Sequence, residues 1–247
     1  MPKYPNDALW LNAFTKPDWY LDVKDEFRRL EKLAVNEKDY YKRKSIKRPA
    51  YSLVETAVRE NKIILAQSGK NFDRERRPID TIVIHHTSNK PGMTLGRLNA
   101  MELLRIYGMH YADPPNPLEK NLTGQPVWSG HFYNDQQVFW CYHWFIREDG
   151  QAERLLKDEY IGWHAGNWDI NTSSIAICID DDLSDKKPSE IVLNAIAEII
   201  KQHYPGILTS NILGHREVNP KTVCPGDLFI DGWKGELLKK IEKHLKR

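Results

Sequence analysis

Two short runs constrain this chain more than anything else in it. TIVIH, residues 81–85, and SSIAICIDD, residues 173–181, are apolar and β-branched, and each reads as a buried strand. Around them lie segments of helical spacing. TLGRLNAMELLRIYG (94–108) carries apolar residues at helical intervals, with Gly108 as a C-terminal stop. PSEIVLNAIAEIIKQHY (188–204) is amphipathic, with Pro188 suited to its first turn. WKGELLKKIEKHLKR (233–247) closes the chain as a helix whose cations gather where the helix dipole favours them. VFWCYHWFIREDGQAERLL (138–156) reads as a hairpin turning at Asp149-Gly150. Alternating strands and helices of this kind predict an α/β fold, a central mixed β-sheet flanked by helices.

The first seventy or so residues differ in texture. DEFRRLEKLAVNEKDYYKRK (25–44) and AYSLVETAVRENKIILAQ (50–67) are charged and helix-favouring, separated by SIKRP. GKNFDRERRP (69–78) is polar and ends in proline, as a connection does. The sequence therefore divides into a small helical N-terminal extension with its linker, residues 1–76, and the α/β domain, residues 77–247. KRKSIKR (42–48) holds five basic side chains and reads as a solvated basic linker.

Charge and apolar run length exclude several classes. A formal net charge of +2 is too small to argue for nucleic acid, and none is expected as a partner. Nothing approaches a membrane span, so no membrane insertion is expected. The first apolar stretch, ALWLNAF, is broken by Asn12 and followed by Lys16 and Pro17, so it lacks the uninterrupted core of a signal peptide. The expected location at synthesis is the cytoplasm. Cys141, Cys178 and Cys224 are odd in number and too few for a disulfide framework.

Those cysteines turn attention to GHREVNPKTVCPG, which sets His215 and Cys224 nine positions apart around a proline-broken loop. Catalytic zinc takes three protein ligands and keeps a fourth position open. His85 and His86 stand at the end of the TIVIH strand, where adjacent residues point to opposite faces. At most one of that pair can reach a given metal, and alternation does not say which.

Four blocks, IDTIVIHHTS, CYHWFIREDGQ, IGWHAGNWDINTSSIAICI and GHREVNPKTVCPGD, together carry a resemblance. In order and type the chain resembles the zinc-dependent N-acetylmuramoyl-L-alanine amidases over about residues 79–230. That family includes phage amidase lysozymes, muropeptide-recycling amidases and peptidoglycan recognition proteins. The resemblance implies one zinc ion per chain, held by His85, His215 and Cys224. It makes Tyr142 the catalytic tyrosine, and strand alternation puts Tyr142, Trp144 and Ile146 on one face. A proton-transfer residue falls on Thr222 when counted back from Cys224 and on Lys221 when counted forward from His215. His164 matches a histidine beside the family's substrate groove. Cys178 stands where the recycling amidases carry glutamate, and it and Cys141 read as buried thiols.

Residues 110–137 form a longer segment than the family minimum, and their prolines argue against a helix. Trp128, His131, Phe132 and Tyr133 would there line a wall for sugar or peptide. The implied reaction is hydrolysis of the amide between the lactyl group of N-acetylmuramic acid and L-alanine, on peptidoglycan or a muropeptide. The rival class is a non-catalytic module that binds peptidoglycan or a polymerase, and the presence of Cys224 argues against it. A second alternative keeps the chemistry but confines it to soluble muropeptides in the cytosol. Without a signal peptide, delivery to a wall would need a phage-type or other release route.

Overall fold

The computed structural model describes residues 6–92, 94, 98–130, 132–133 and 136–242. Helices α1 (Asp7–Ala13), α2 (Trp19–Asn36) and α3 (Tyr40–Arg59) come first, then strand β1 (Thr81–His86) and helix α4 (Leu98–Ile106). Strands β2 (Phe132–Tyr133), β3 (Gln136–Gln137), β4 (Trp144–Ile146) and β5 (Ala152–Arg154) follow. Helix α5 (Trp168–Ser173), strand β6 (Ser174–Ile179), helix α6 (Glu190–His203), strand β7 (Ile212–Gly214) and helices α7 (His215–Val218) and α8 (Lys234–Glu242) complete the order. The chain divides into two compact units: Met1–Asn71 with Gly96–Phe139, and Phe72–Leu95 with Trp140–Arg247.

The second unit holds the sheet, in the order β5-β4-β6-β1-β7. β1 runs parallel to β6 and β7, β6 runs parallel to β4, and β4 pairs antiparallel with β5. It is the mixed sheet that the sequence predicts. All six residues of β1 and all six of β6 are buried, as near-continuous apolar runs require of inner parallel strands. One face presents Ile82, Ile84, Ile175, Ile177 and Ile179 to Ile196 and Ile200 of α6 and Leu237 and Ile241 of α8 in a single apolar cluster. Each such side chain, fully buried, is worth about 1.5–3 kcal/mol. The opposite face carries Val83, His85, Ser174, Ala176 and Cys178, with His85 in register beside Cys178. That second face bears the chemistry.

The first unit is helical. Trp10, Trp19, Tyr20, Phe27 and Leu30 share one core with Ala50, Val54, Leu103, Tyr107 and Tyr111. Several of its aromatic pairs meet edge to face, among them Trp19 on Tyr107 at 5.4 Å and Tyr20 on Tyr111 at 5.8 Å, while Tyr20 stacks on Tyr107 at 6.1 Å.

Several local expectations change. SIKRP does not separate two helices: α3 runs through it with Pro49 inside, and the break falls earlier, where Asp39 caps α3 by accepting the Lys42 N–H. An interior proline costs about 3 kcal/mol. Burial of Ile46, Ala50, Val54 and Ala57 along one face of α3 offsets it. Gly108 does not stop its helix either. The chain continues as a π-helical turn over Tyr107–Ala112, because Tyr107 and Tyr111 are drawn into the core on both sides of the glycine. The proline-rich stretch that follows holds one 3₁₀ helix, Pro117–Leu122, opened by Asn116.

The hairpin is shorter than its sequence pattern. Pairing begins only at Trp144, and Gly150 takes the positive φ of +82° that its turn needs. In α6 the cap is Ser189, whose side chain accepts the Val192 N–H, so Pro188 precedes the cap instead of occupying the first turn. GKNFDRERRP is more than a connection. Within the second unit Arg76 donates to the carbonyls of Asp158, Asn171, Thr172 and Ser174.

Candidate metal centre

Three elements of the second unit deliver three donor side chains. β1 carries His85 on the face away from α6 and α8. β7 ends at Gly214, and His215 opens α7 immediately after it. Cys224 arrives on a loop tied back to α7 by the Arg216 N–H, which donates to the Cys224 carbonyl at 2.7 Å. Arg216 Nη1 also donates to the Gly226 carbonyl at 3.2 Å. Gly226 sits at φ +115°, and a Cβ there would lie 1.8 Å from the Leu183 oxygen, so no other residue fits. One ring nitrogen from each histidine and the Cys224 sulfur lie within 4.8 Å of one another.

The spacing fits zinc. Zn–S distances of about 2.3 Å and Zn–N distances of about 2.0–2.1 Å put sulfur and nitrogen about 3.5 Å apart around a tetrahedral ion. The Cys224 Sγ stands 3.8 Å from His85 Nδ1. His86 is turned elsewhere: its ring Nδ1 accepts the Leu183 N–H at 2.9 Å, and it is the His86 backbone that approaches the Cys224 sulfur, its N–H at 3.4 Å and its carbonyl at 4.0 Å. Of the adjacent pair it is His85 that meets His215 and Cys224.

The local electrostatics suit a cation. His85 is 1 % exposed, and burial, followed by the neighbouring His164, His215 and His86, holds its pKa well below the usual imidazole value. It is therefore neutral, as a ligand must be. Burial pushes the Cys224 thiol up to about 12, with the His86 N–H acting in the other direction. A divalent ion reverses that balance, because the thiolate is the ligand. Cys178 is also pushed up by burial, then by Cys224 and Cys141, while a hydrogen bond with Tyr142 works against the rise.

Tyr142 lies beside the donors, its ring centroid 5.1 Å from that of His85. Trp144 does not share its face. It joins the α6 and α8 cluster, and its indole N–H donates to the Tyr204 hydroxyl at 2.9 Å. Alternation fails here because the extended strand starts only at Trp144. One step earlier the His143 N–H still donates to the Ala176 carbonyl at 3.0 Å, but the returning Ala176 N–H is accepted by the His143 ring at 3.0 Å. Thr222 accepts the Cys224 N–H on its hydroxyl at 3.1 Å, and the Lys221 backbone N–H donates to Asn219 Oδ1 at 3.0 Å. Trp128 belongs to the first unit, where its indole donates to the Lys70 carbonyl at 2.7 Å. His131 and the side chains of Phe132 and Tyr133 lie outside the described residues.

His164 is buried, and both its ring nitrogens have protein partners: His85 Nε2 at 3.0 Å and Ser174 Oγ at 3.0 Å. Sequence reasoning passed over the groups that hold this layer together. Asn171 Oδ1 accepts the backbone N–H of both His164 (3.3 Å) and Ala165 (2.8 Å), and the Ala165 carbonyl faces His215 Nε2 at 3.2 Å and Asn219 Nδ2 at 3.0 Å. The available signal was the polar cluster NTSS set directly before a buried strand.

A sequence model of the family described as N-acetylmuramoyl-L-alanine amidase matches residues 75–227, more than half of the chain. The chain belongs to that family. Among solved structures, the endolysin amidase LysCS from Clostridium intestinale URNW is 18% identical, with 72% of this chain and 93% of that one covered and a TM-score of 0.46. The Ph2119 endolysin from the Thermus scotoductus MAT2119 bacteriophage is 19% identical, with 67% and 86% covered and a TM-score of 0.41. The Drosophila peptidoglycan recognition protein SD is also 19% identical, with 60% and 75% covered and a TM-score of 0.38. No curated protein matches. No helix among the described residues is long and apolar enough to cross a membrane.

Proposed function

We propose that this amidase hydrolyses the bond between the lactyl group of N-acetylmuramic acid and L-alanine, on peptidoglycan or a muropeptide, using one zinc ion held by His85, His215 and Cys224. The observation that carries the reading is the convergence of two imidazoles and one thiol, from three separate elements, within 4.8 Å. When bound, zinc supplies Lewis acidity and a water whose pKa falls to about 7. The chain supplies the rest. Tyr142, with its ring 5.1 Å from that of His85, offers a phenol O–H to the oxyanion that develops on the attacked carbonyl. Lys221 or Thr222 moves the proton to the leaving nitrogen; both sit on the loop that brings Cys224 to the site. Trp128 is proposed as a substrate contact. The buried Cys224 favours catalysis over a purely binding module, which has no use for a thiolate ligand.

The test is release of stem peptide with a free L-alanine amine, followed by mass spectrometry. Metal-free and zinc-restored protein are assayed on intact sacculi and on soluble muropeptide. Restoration of activity by about one zinc per chain is expected. Inactivity of a zinc-loaded preparation on both substrates sinks the reading.

A further inference from the structure

We infer that the segment from Gly162 to Asn171 sets the proton positions of both imidazole donors, so that each presents its Nδ1 to the metal, and that His164 is the positioning residue for His85. The inference builds on the metal reading above and assigns His164 a role other than substrate contact.

The order of protons follows from the hydrogen bonds. Ser174 Oγ lies 2.6 Å from the Ile170 carbonyl, which can only accept, so the one hydroxyl hydrogen points there. Towards His164 Nε2, at 3.0 Å, the same oxygen is then the acceptor, and His164 carries its proton on Nε2. His164 is 6 % exposed, and a charged ring at that depth is costly, so it holds one proton and its Nδ1 is a lone pair. That lone pair faces His85 Nε2 at 3.0 Å, which must therefore be the N–H of His85. The remaining nitrogen of His85, Nδ1, is the one 3.8 Å from the Cys224 sulfur. For His215 the route is shorter: the Ala165 carbonyl, 3.2 Å from its Nε2, can only accept, so Nε2 carries a proton and Nδ1 is the nitrogen turned away from that carbonyl.

Two neighbours, His164 and Ala165, thus fix the two histidines. Asn171 clamps both by accepting their backbone N–H groups on one oxygen. Gly162 lets the segment pass close to the backbone ahead of β4, since a Cβ there would lie 2.4 Å from the Cys141 carbonyl oxygen. A groove residue needs a free nitrogen for its ligand, and His164 has none to offer.

Long-range proton–nitrogen spectra of the full-length, metal-free chain with labelled histidine read the tautomers directly. The expected result is an N–H on Nε2 of both His85 and His215. For His164→Leu, chelator competition should show zinc affinity reduced about 10–100-fold, the usual effect of losing a ligand's outer partner. His164→Gln can accept from His85 and donate to Ser174, and should stay within a few-fold of the parent. A proton on Nδ1 of His85 in the parent overturns the inference. So does a leucine variant of undiminished zinc affinity, or a glutamine variant as weak as the leucine one, which would leave His164 as packing. If the leucine variant does not fold, the parent spectrum and the glutamine variant still decide. A parent chain with the stated tautomers but no stoichiometric zinc refutes the metal reading and leaves the proton order standing.

Discussion

The Cys224 thiol gives the sharpest test of the metal centre. Burial pushes its pKa up to about 12, so below that pH the metal-free protein holds the proton that a ligand must lose. Binding zinc then displaces one proton from Cys224, and mass action makes apparent affinity rise tenfold per pH unit, about 1.4 kcal/mol. The sign is unambiguous: affinity climbs with pH because the metal-free state binds the extra proton. His85 adds nothing, since it is already neutral. The comparison is with Cys224→Ser, over pH 7.5–9.5, where an ordinary imidazole is neutral. Zinc affinities come from competition with a chromophoric chelator at each pH. A proton lost by solvent on the metal is common to both proteins and cancels in the difference. The logarithm of the parent's affinity should rise about one unit per pH unit more steeply than the variant's, without levelling. Equal slopes would falsify the thiol ligand. A difference that flattens near pH 8.5 would mean an ordinary, solvated thiol in place of a buried one.

Tyr142→Phe should keep zinc content and melting temperature while lowering turnover roughly 10²–10³-fold, if the phenol donates to the oxyanion; near-normal turnover would make it a packing ring. His86→Ala should retain stoichiometric zinc but melt lower, because the Leu183 N–H is left unpaired at a cost of about 1–3 kcal/mol; metal loss there, with His85→Ala unaffected, would reverse the choice of ligand. A chain beginning at Arg77 strips α1–α3 from Leu103, Tyr107 and Tyr111 and removes Arg76 from its four carbonyls. Calorimetry should show the transition of the first unit abolished, and an unchanged melting profile would show that the N-terminal helices contribute nothing to that core.

Much of this protein is determined locally and so can be read along the chain. A run such as TIVIH is buried on both faces whatever surrounds it, so β1 and β6, and the helices that cover one side of them, follow from apolar spacing alone. The same holds for the limit on His85 and His86, since a strand cannot turn two neighbours to one side. Which of the two serves is a tertiary decision: it depends on where β7 and the Cys224 loop approach, and on Leu183 engaging His86. Tyr142 came to the His85 side because the His143 ring takes a backbone N–H and interrupts the alternation, a long-range substitution that leaves no periodic signal. Tertiary burial likewise carried α3 through Pro49 and the π-turn past Gly108. His164 is the plainest case. Its residue type and motif are visible in the sequence, but its two partners are 79 and 10 residues away. Only the folded sheet, by setting Ser174 behind it and His85 before it, gives that imidazole a direction.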